Sequence, residues 1–392
     1  MNVDIAIIGA GPAGLCLARA LSGQGLDIVL VERQSEESLA APAFDGREIA
    51  LSHASHHELR RLGLWQRFEQ DDIAILRDAQ VHNGPSLFAL RIEASQAGSE
   101  RLGHLLPNQA IRRAAYAVAS ECADVRILSD SALVGLRRDE RGVDLELADG
   151  RKLRTRLLVA ADSRFSETRR MLGIGARMKD FGKSMLVCRM SHEKPHEQVA
   201  WEWFGYGQTL ALLPLNGNQS STVLTLPQNE IARLQEMDER AFADEMQRRI
   251  GQRLGNMQLV SSRHAYPLVG VFADRLAGTR AALVGDAAVG MHPVTAHGFN
   301  FGLQSQRRLA DTIIQARRQG HDIGADAVLQ RYARAQRLAS WPLYQATNLL
   351  VDLYTNDRAP VKLLRNAGLR LAQGMRPLRW AIARHLTQPE HV

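Results

Sequence analysis

Val3-Asp4-Ile5-Ala6-Ile7-Ile8-Gly9-Ala10-Gly11-Pro12-Ala13-Gly14 opens the chain and decides its fold. The apolar run 3–8 reads as a short central strand covered on both faces. Three glycines follow at the spacing GxGxxG. Leu15, Leu17, Ala18 and Leu21 then supply one apolar helical face, which runs out near Gly23 and Gly25. Residues 27–32 (Asp-Ile-Val-Leu-Val-Glu) form a second strand that ends on Glu32. In this βαβ context each glycine has a physical task. Gly9 permits the tight turn, Gly11 lets a pyrophosphate approach the backbone, and Gly14 lets helix and strand pack closely. The helix N-terminus that begins at Pro12 offers free N–H groups, from Ala13 onward, and a positive dipole end to phosphates. Glu32 is placed to accept ribose hydroxyls, and its charge repels a 2′-phosphate. The ligand read from these residues is FAD or NAD rather than NADP.

Two later stretches have the same buried-strand texture, 157–162 (Leu-Leu-Val-Ala-Ala-Asp) and 281–286 (Ala-Ala-Leu-Val-Gly-Asp). Between them the texture changes. Residues 184–190, 199–204, 208–214, 219–226 and 263–269 are short, rich in β-formers and separated by turn residues. One amphipathic helix is expected over roughly 229–250, and the chain beyond 300 reads as wholly helical. The expected architecture is α/β: a discontinuous, Rossmann-like dinucleotide domain (1–75, 101–180 and 272–330), an inserted, mostly antiparallel sheet domain (76–100 and 181–271), and a C-terminal helical region (331–392). A pocket where two such domains meet is the expected place for chemistry.

At 392 residues with 45% hydrophobic and 23% charged content, the chain is a multi-domain globular protein and not a disordered one. Three scattered cysteines argue against a disulfide framework or a zinc site and suit a reducing, cytoplasmic compartment. No apolar run reaches the length of a membrane span. Residues 331–392 hold ten Lys/Arg and three Asp/Glu, so the whole net charge of +7 resides there. That argues against a nucleic-acid protein with a basic main domain. Within the tail, 359–386 mixes leucines, Met375 and Trp380 with Lys/Arg and no acid. It suits either a surface that docks at a membrane or partner, or a helical cap on the first domain.

A second glycine-rich segment, Gly285-Asp286-Ala287-Ala288 followed by Met291-His292-Pro293 and Gly298-Phe299-Asn300-Phe301-Gly302, delivers Asp286 to a turn before a helix. Its small residues allow a flat ring to lie against the backbone, and a helix N-terminus aimed at that ring favours negative charge developing there. An ordinary strand–loop–helix connection is the alternative.

With these motifs in place, the chain resembles the group A FAD-dependent aromatic hydroxylases with the para-hydroxybenzoate hydroxylase fold, nearest the branch that hydroxylates ubiquinone precursors. The resemblance rests on four ordered segments: the GxGxxG with Glu32-Arg33; Phe44-Asp45-Gly46-Arg47-Glu48-Ile49-Ala50-Leu51-Ser52; Ala161-Asp162-Ser163-Arg164 with Arg169; and residues 285–302. It implies FAD on Gly9, Gly11, Pro12, Ala13 and Gly14, with Glu32 at the adenosine ribose and Arg33 by the adenine. It implies Arg47 near the phosphates and ribityl, Asn108 as a polar contact, and Val134 meeting the adenine through its backbone. Asp162 and Arg169 would shape the cleft, and Asp286 would bind a ribityl or ribose hydroxyl. Pro293 would lie at the isoalloxazine, with Gly298, Phe299 and Asn300 presenting backbone groups to its pyrimidine end. The implied activity is ring hydroxylation of a prenylated phenol with O2 through a flavin C4a-hydroperoxide, with NAD(P)H binding transiently. A small soluble aromatic substrate, or an FAD-binding scaffold in a quinone-biosynthesis complex, are the alternatives. The implied location is cytoplasmic, peripheral to the inner membrane face through the basic tail.

Three residues depart from the family pattern: Val289, His297 and Ser163. His297 is the candidate titrating group at the active site, set against a loop histidine satisfied by backbone. His53, His56 and His57 have metal-like spacing but no completing ligands, so they read as an exposed helix face. Trp201-Glu202-Trp203 reads as an aromatic strand lining the substrate domain, and Cys16 as core.

Overall fold

The computed structural model describes residues 1–84, 89–205, 207–292 and 298–355. The opening run forms the strand Asn2–Ile8, the helix Pro12–Leu21 and the strand Ile28–Val31. Asn2–Ile8 pairs in parallel with Ile28–Val31 on one side and Lys152–Ala160 on the other. Val125–Leu128 and Ala281–Leu283 extend the parallel sheet at its two ends. All the parallel strands but Val125–Leu128 are buried across their apolar residues, as a sheet covered on both faces requires.

A second sheet of nine strands is mostly antiparallel. Its long central strand, Ala176–His192, pairs with Gln219–Pro227 and with His264–Ala273. Gln208–Pro214, Val199–Gly205, Asp78–Asn83 and Ala89–Glu93 continue it outward. The expected helix over 229–250 is in fact two, Gln228–Glu236 and Glu239–Arg249. The break falls where Asp238 takes extended backbone and its side chain accepts the Ala241 N–H at 2.9 Å, a standard N-cap. These helices cover one face of the sheet. The other face looks toward the first domain.

The two sheets are joined directly. Val289–Gly290, inside the second glycine-rich segment, pairs with Val271–Phe272 as the last strand of the second sheet. The helix Gly298–Arg318 and the helix Asp326–Thr355 complete the described chain. Among the described residues no helix is long and apolar enough to cross a membrane. The expected docking surface at 359–386 lies outside the described residues.

Candidate functional site

The glycine turn is built as tightly as its spacing predicts. Gly9 has φ +107°, and a Cβ there would stand 2.6 Å from the Ala161 carbonyl oxygen. A Cβ on Gly14 would stand 2.0 Å from the Gly9 carbonyl oxygen, so only glycine lets the helix approach the strand. Gly11 differs: a Cβ there would meet nothing within 4 Å. It begins the helix with no side-chain cap, leaving the N–H groups of Ala13 and Gly14 without that partner, while Pro12 at the first helical position has no N–H to satisfy. An open floor beside an uncapped helix N-terminus fits a pyrophosphate.

Glu32 is held at the rim of this turn. Its carboxylate accepts the Ala10 N–H at 2.7 Å and the Gln34 N–H at 3.0 Å. A carboxylate has about four lone-pair positions, so two remain for ribose hydroxyls. Arg33 forms an exposed pair with Glu167 at 3.0 Å. Val134 is 53% exposed on the strand Leu133–Arg138.

The Phe44–Ser52 segment supplies a polar knot whose centre, Asp45, the motif reading did not single out. Asp45 accepts from the Arg47 guanidinium at 2.6 Å and from the Asn108 amide at 2.7 Å. Its backbone carbonyl accepts the Tyr266 hydroxyl at 2.7 Å, so the second sheet is tied in as well. Burial acts to raise the Asp45 carboxyl, but the Arg47 and Asn108 hydrogen bonds outweigh it and hold it below the usual range. Arg47 and Asn108 are thus fixed relative to one another, 61 residues apart in sequence. A short acidic residue two before an arginine was the available signal.

A step further along, Glu48 has a side chain with no exposure and pairs with Arg189 of the second sheet at 2.7 Å. The guanidinium also lies over the Phe44 ring, 5.0 Å from its centroid. One Glu48 oxygen, Oε2, is buried without a hydrogen bond among the described residues. Burial pushes the Glu48 carboxyl up to about 7, with Arg189 opposing. An unfolded glutamate titrates near 4.5, so the folded chain holds this proton more tightly. The associated stability is full below the lower value and lost as pH rises to the upper one. Glu48→Gln removes that dependence. Thermal unfolding across this window should show wild type losing stability with rising pH relative to the variant; parallel curves would contradict the assignment.

Asp162 and Arg169 meet around the turn that follows Lys152–Ala160. Asp162 accepts the Ser166 hydroxyl at 2.5 Å and the Thr168 N–H at 3.1 Å. Ser163, where the family pattern has glycine, stays out of the left-handed region, so it carries no backbone strain. Arg169 is buried and donates to the carbonyl oxygens of Ala287 and Arg164 at 2.9 and 3.2 Å. It therefore sews the Asp162 turn to the Gly285–Ala287 turn. Asp286, expected to be free for a hydroxyl, accepts from Arg164 at 2.9 Å.

The second glycine-rich segment packs as closely as the first. A Cβ on Gly285, at φ +59°, would stand 2.9 Å from Ala13 of the first motif. Val289 is buried in its strand pairing with Phe272. Asn300 is buried and spends its side chain on Ser52 N–H and the Ala50 carbonyl, at 3.1 and 2.9 Å. Its role at a ring would fall to backbone, with Phe299; a Cβ on Gly298 would meet nothing within 4 Å. Pro293 and His297 lie outside the described residues.

Next to them, His292 is buried and meets Phe181 edge-on at 4.7 Å. Burial, with the charges of Lys183, Arg164 and Lys179, pushes it down to about 4, so it is neutral at physiological pH. His292, Phe181, Phe204, Thr209, Thr225 and Lys183 border a cavity of about 220 Å³ on the inner face of the second sheet.

Two readings of single residues are corrected. His53 and His56 are not on a free face. His56 packs edge-on against Trp65 at 4.1 Å and near His104 at 5.0 Å, and among the described residues no cluster could hold a metal. Trp201 and Trp203 do not line the inner face; they pack into the core under the two helices. Cys16 is fully buried core.

A glycine-rich βαβ turn with Glu32 at its rim, a polar knot at Asp45 and a cavity backed by the second sheet are the marks of a dinucleotide-binding protein. The chain belongs to the family described as "FAD binding domain", whose model matches residues 2–347, and it is an FAD-dependent monooxygenase with NAD(P)H as co-substrate. It is 45% identical over 391 residues to the ubiquinone hydroxylase UbiM of Neisseria meningitidis, covering 99% of this chain and 85% of that protein. It is 35% identical to the ubiquinone hydroxylase UbiL of Rhodospirillum rubrum over 97% of this chain and 89% of that one. The fold is similar to p-nitrophenol 4-monooxygenase PnpA from Pseudomonas putida (TM-score 0.77, 16% identity, 98% and 97% of the two chains).

Proposed function

We propose that the protein hydroxylates the aromatic ring of a ubiquinone precursor, a polyprenyl phenol or quinol. Atoms balance as ArH + O2 + NAD(P)H + H⁺ giving ArOH + NAD(P)⁺ + H2O. The observation that carries this reading is the 45% identity over nearly the whole chain to a ubiquinone hydroxylase. Bound FAD supplies the chemistry, passing electrons from NAD(P)H to O2 so that one oxygen atom can be transferred.

The chain's own residues do the rest. Gly9, Gly11 and Gly14, with the Ala13 N–H and the helix start that Pro12 sets, hold the pyrophosphate, and Glu32 takes the adenosine ribose. Arg33 and the backbone of Val134 lie on the adenine side. Arg47 and Asn108, oriented by Asp45, hold the phosphate–ribityl stretch. Asp162 and Arg169 brace the cleft, and Asp286 faces the ribityl or ribose. Gly298, Phe299 and Asn300 present backbone to the ring, and Pro293 and His297 are assigned to the ring by the family resemblance alone. The inner face of the second sheet excludes water and holds the substrate ring, so that the oxygen chemistry bound FAD would supply is spent on the ring. The basic 331–392 segment serves a membrane surface or a biosynthetic partner, where a polyprenyl substrate is met.

Turnover under ¹⁸O₂ tests this. Purified flavoprotein supplied with NAD(P)H and a prenylated phenol should incorporate one labelled oxygen into the ring. Label found only in water and peroxide would overturn the reading. Turnover confined to small soluble phenols would replace the substrate class.

A further inference from the structure

The second sheet carries one carboxylate the reading above does not use. Glu202 lies between Trp201 and Trp203 on the strand Val199–Gly205. The tryptophans face the helix-covered core, so alternation turns Glu202 to the opposite, inner face. Strand register fixes its neighbours there. Glu202 is opposite Ala211 and Val81, and the row continues through Val223 and Val187 to His264. The adjacent row, Phe204, Thr209 and Thr225, borders the cavity beside His292. Two residues along a strand is about 7 Å, so the carboxylate stands one row along the strands from the cavity's lining, in the row that ends at Val187 and His264.

Among the described residues Glu202 makes no hydrogen bond or ion pair. It retains accessible surface, yet protein surrounds it so completely that burial alone pushes its carboxyl up to about 8. A buried carboxylate with neither a partner nor a neighbouring charge is costly for a fold to keep. On the inner face and around the cavity, the charged or titratable groups of neighbouring strands are Lys179, Asp180, Lys183, Arg189, His264 and Tyr266, joined by His292 and by Asp352, which pairs with Lys179. From the facing domain they are Asp45, Arg47 and Glu48, of which Asp45 pairs with Arg47 and Glu48 with Arg189. The Asp78–Asn83, Gln208–Pro214 and Gln219–Pro227 strands present only Ala, Val, Asn, Gln, Thr, Leu, Ser and Pro on that face, none of them charged.

We propose that Glu202 is the group that receives the substrate's ring hydroxyl, accepting its hydrogen bond and then its proton as the ring becomes electron-rich. This rests on the monooxygenase reading above. In the step, the phenol O–H bond breaks, a carboxyl O–H bond forms, and the electron pair stays on the phenolic oxygen; nothing is oxidised. A phenol titrates near 10, so a carboxyl held near 8 is a far better matched base than an ordinary glutamate.

Reconstituted holoenzyme is assayed with 2-prenylphenol and its O-methyl ether, as wild type, Glu202→Gln and Glu202→Asp, across pH. Flavin content, read by visible absorbance, should be equal in all three. Wild type should favour the phenol over the ether and gain product per NAD(P)H as pH rises through Glu202's titration. Glu202→Gln should lose about 10²-fold in hydroxylation of the phenol, lose the rising pH limb and no longer distinguish phenol from ether. Glu202→Asp should keep the pH limb at reduced rate. A Gln variant with full flavin, an unchanged pH limb and unchanged preference for the phenol overturns the assignment alone. A wild type that hydroxylates neither probe nor any other phenol overturns the monooxygenase reading, and the assignment with it.

Discussion

Replacing Gly14 by valine is expected to yield a protein that purifies without flavin. The added Cβ would lie 2.0 Å from the Gly9 carbonyl oxygen, with the Ile7 side chain 3.3 Å away. The blocking atom is backbone, so no side chain can rotate aside. Relief comes only by lifting the helix Pro12–Leu21 off the strand Asn2–Ile8. That displaces the uncapped helix N-terminus from the place a pyrophosphate needs it. Overpacking a dense core costs about 1–3 kcal/mol in ordinary cases, and backbone contact at this distance puts the cost at the upper end or beyond. Lost phosphate contacts add to it. The check is the ratio of visible flavin to protein absorbance after dialysis against excess FAD, with circular dichroism reporting the fold. A folded, fully flavinated variant would show that the close approach is unimportant to the cofactor.

Arg189→Met is expected to be the most destabilising substitution outside the cofactor trough. Removing one member of a buried pair typically costs about 3–5 kcal/mol, because the other charge is left uncompensated. The Glu48 side chain has no exposed surface, and its second oxygen already lacks a hydrogen-bond partner among the described residues. The carboxyl can escape only by taking a proton, so the loss should be larger at about pH 8 than at about pH 5. Glu48→Met combined with Arg189→Met should recover most of the loss, since two apolar side chains leave no stranded charge. Denaturant unfolding of both single variants and the double one measures this. Additive losses in the double variant would mean that Glu48 and Arg189 act independently.

The apolar runs at 3–8 and 157–160 were legible because a parallel strand covered on both faces must be almost wholly hydrophobic. The glycine turn was legible because only glycine satisfies its contacts. The pairing partners were not. Glu48 and Arg189 stand 141 positions apart, and nothing local to either names the other. The helix break at Asp238 had a readable capping residue, but the apolar periodicity ran through it. The Trp-Glu-Trp triplet shows the limit most plainly. Alternation separates the aromatic and acidic faces of the strand, but which face meets the first domain depends on where the two helices dock. The residues at 293–297 gave a sequence expectation only.

Val289–Gly290 belongs to two structures at once, the glycine-rich turn and the margin of the antiparallel sheet. Its ladder with Val271–Phe272 works as a seam, and a seam is stiffest along its own length. Rocking of one domain on the other would have to bend that ladder, and with the Tyr266–Asp45 and Arg189–Glu48 ties it holds the two sheets in register.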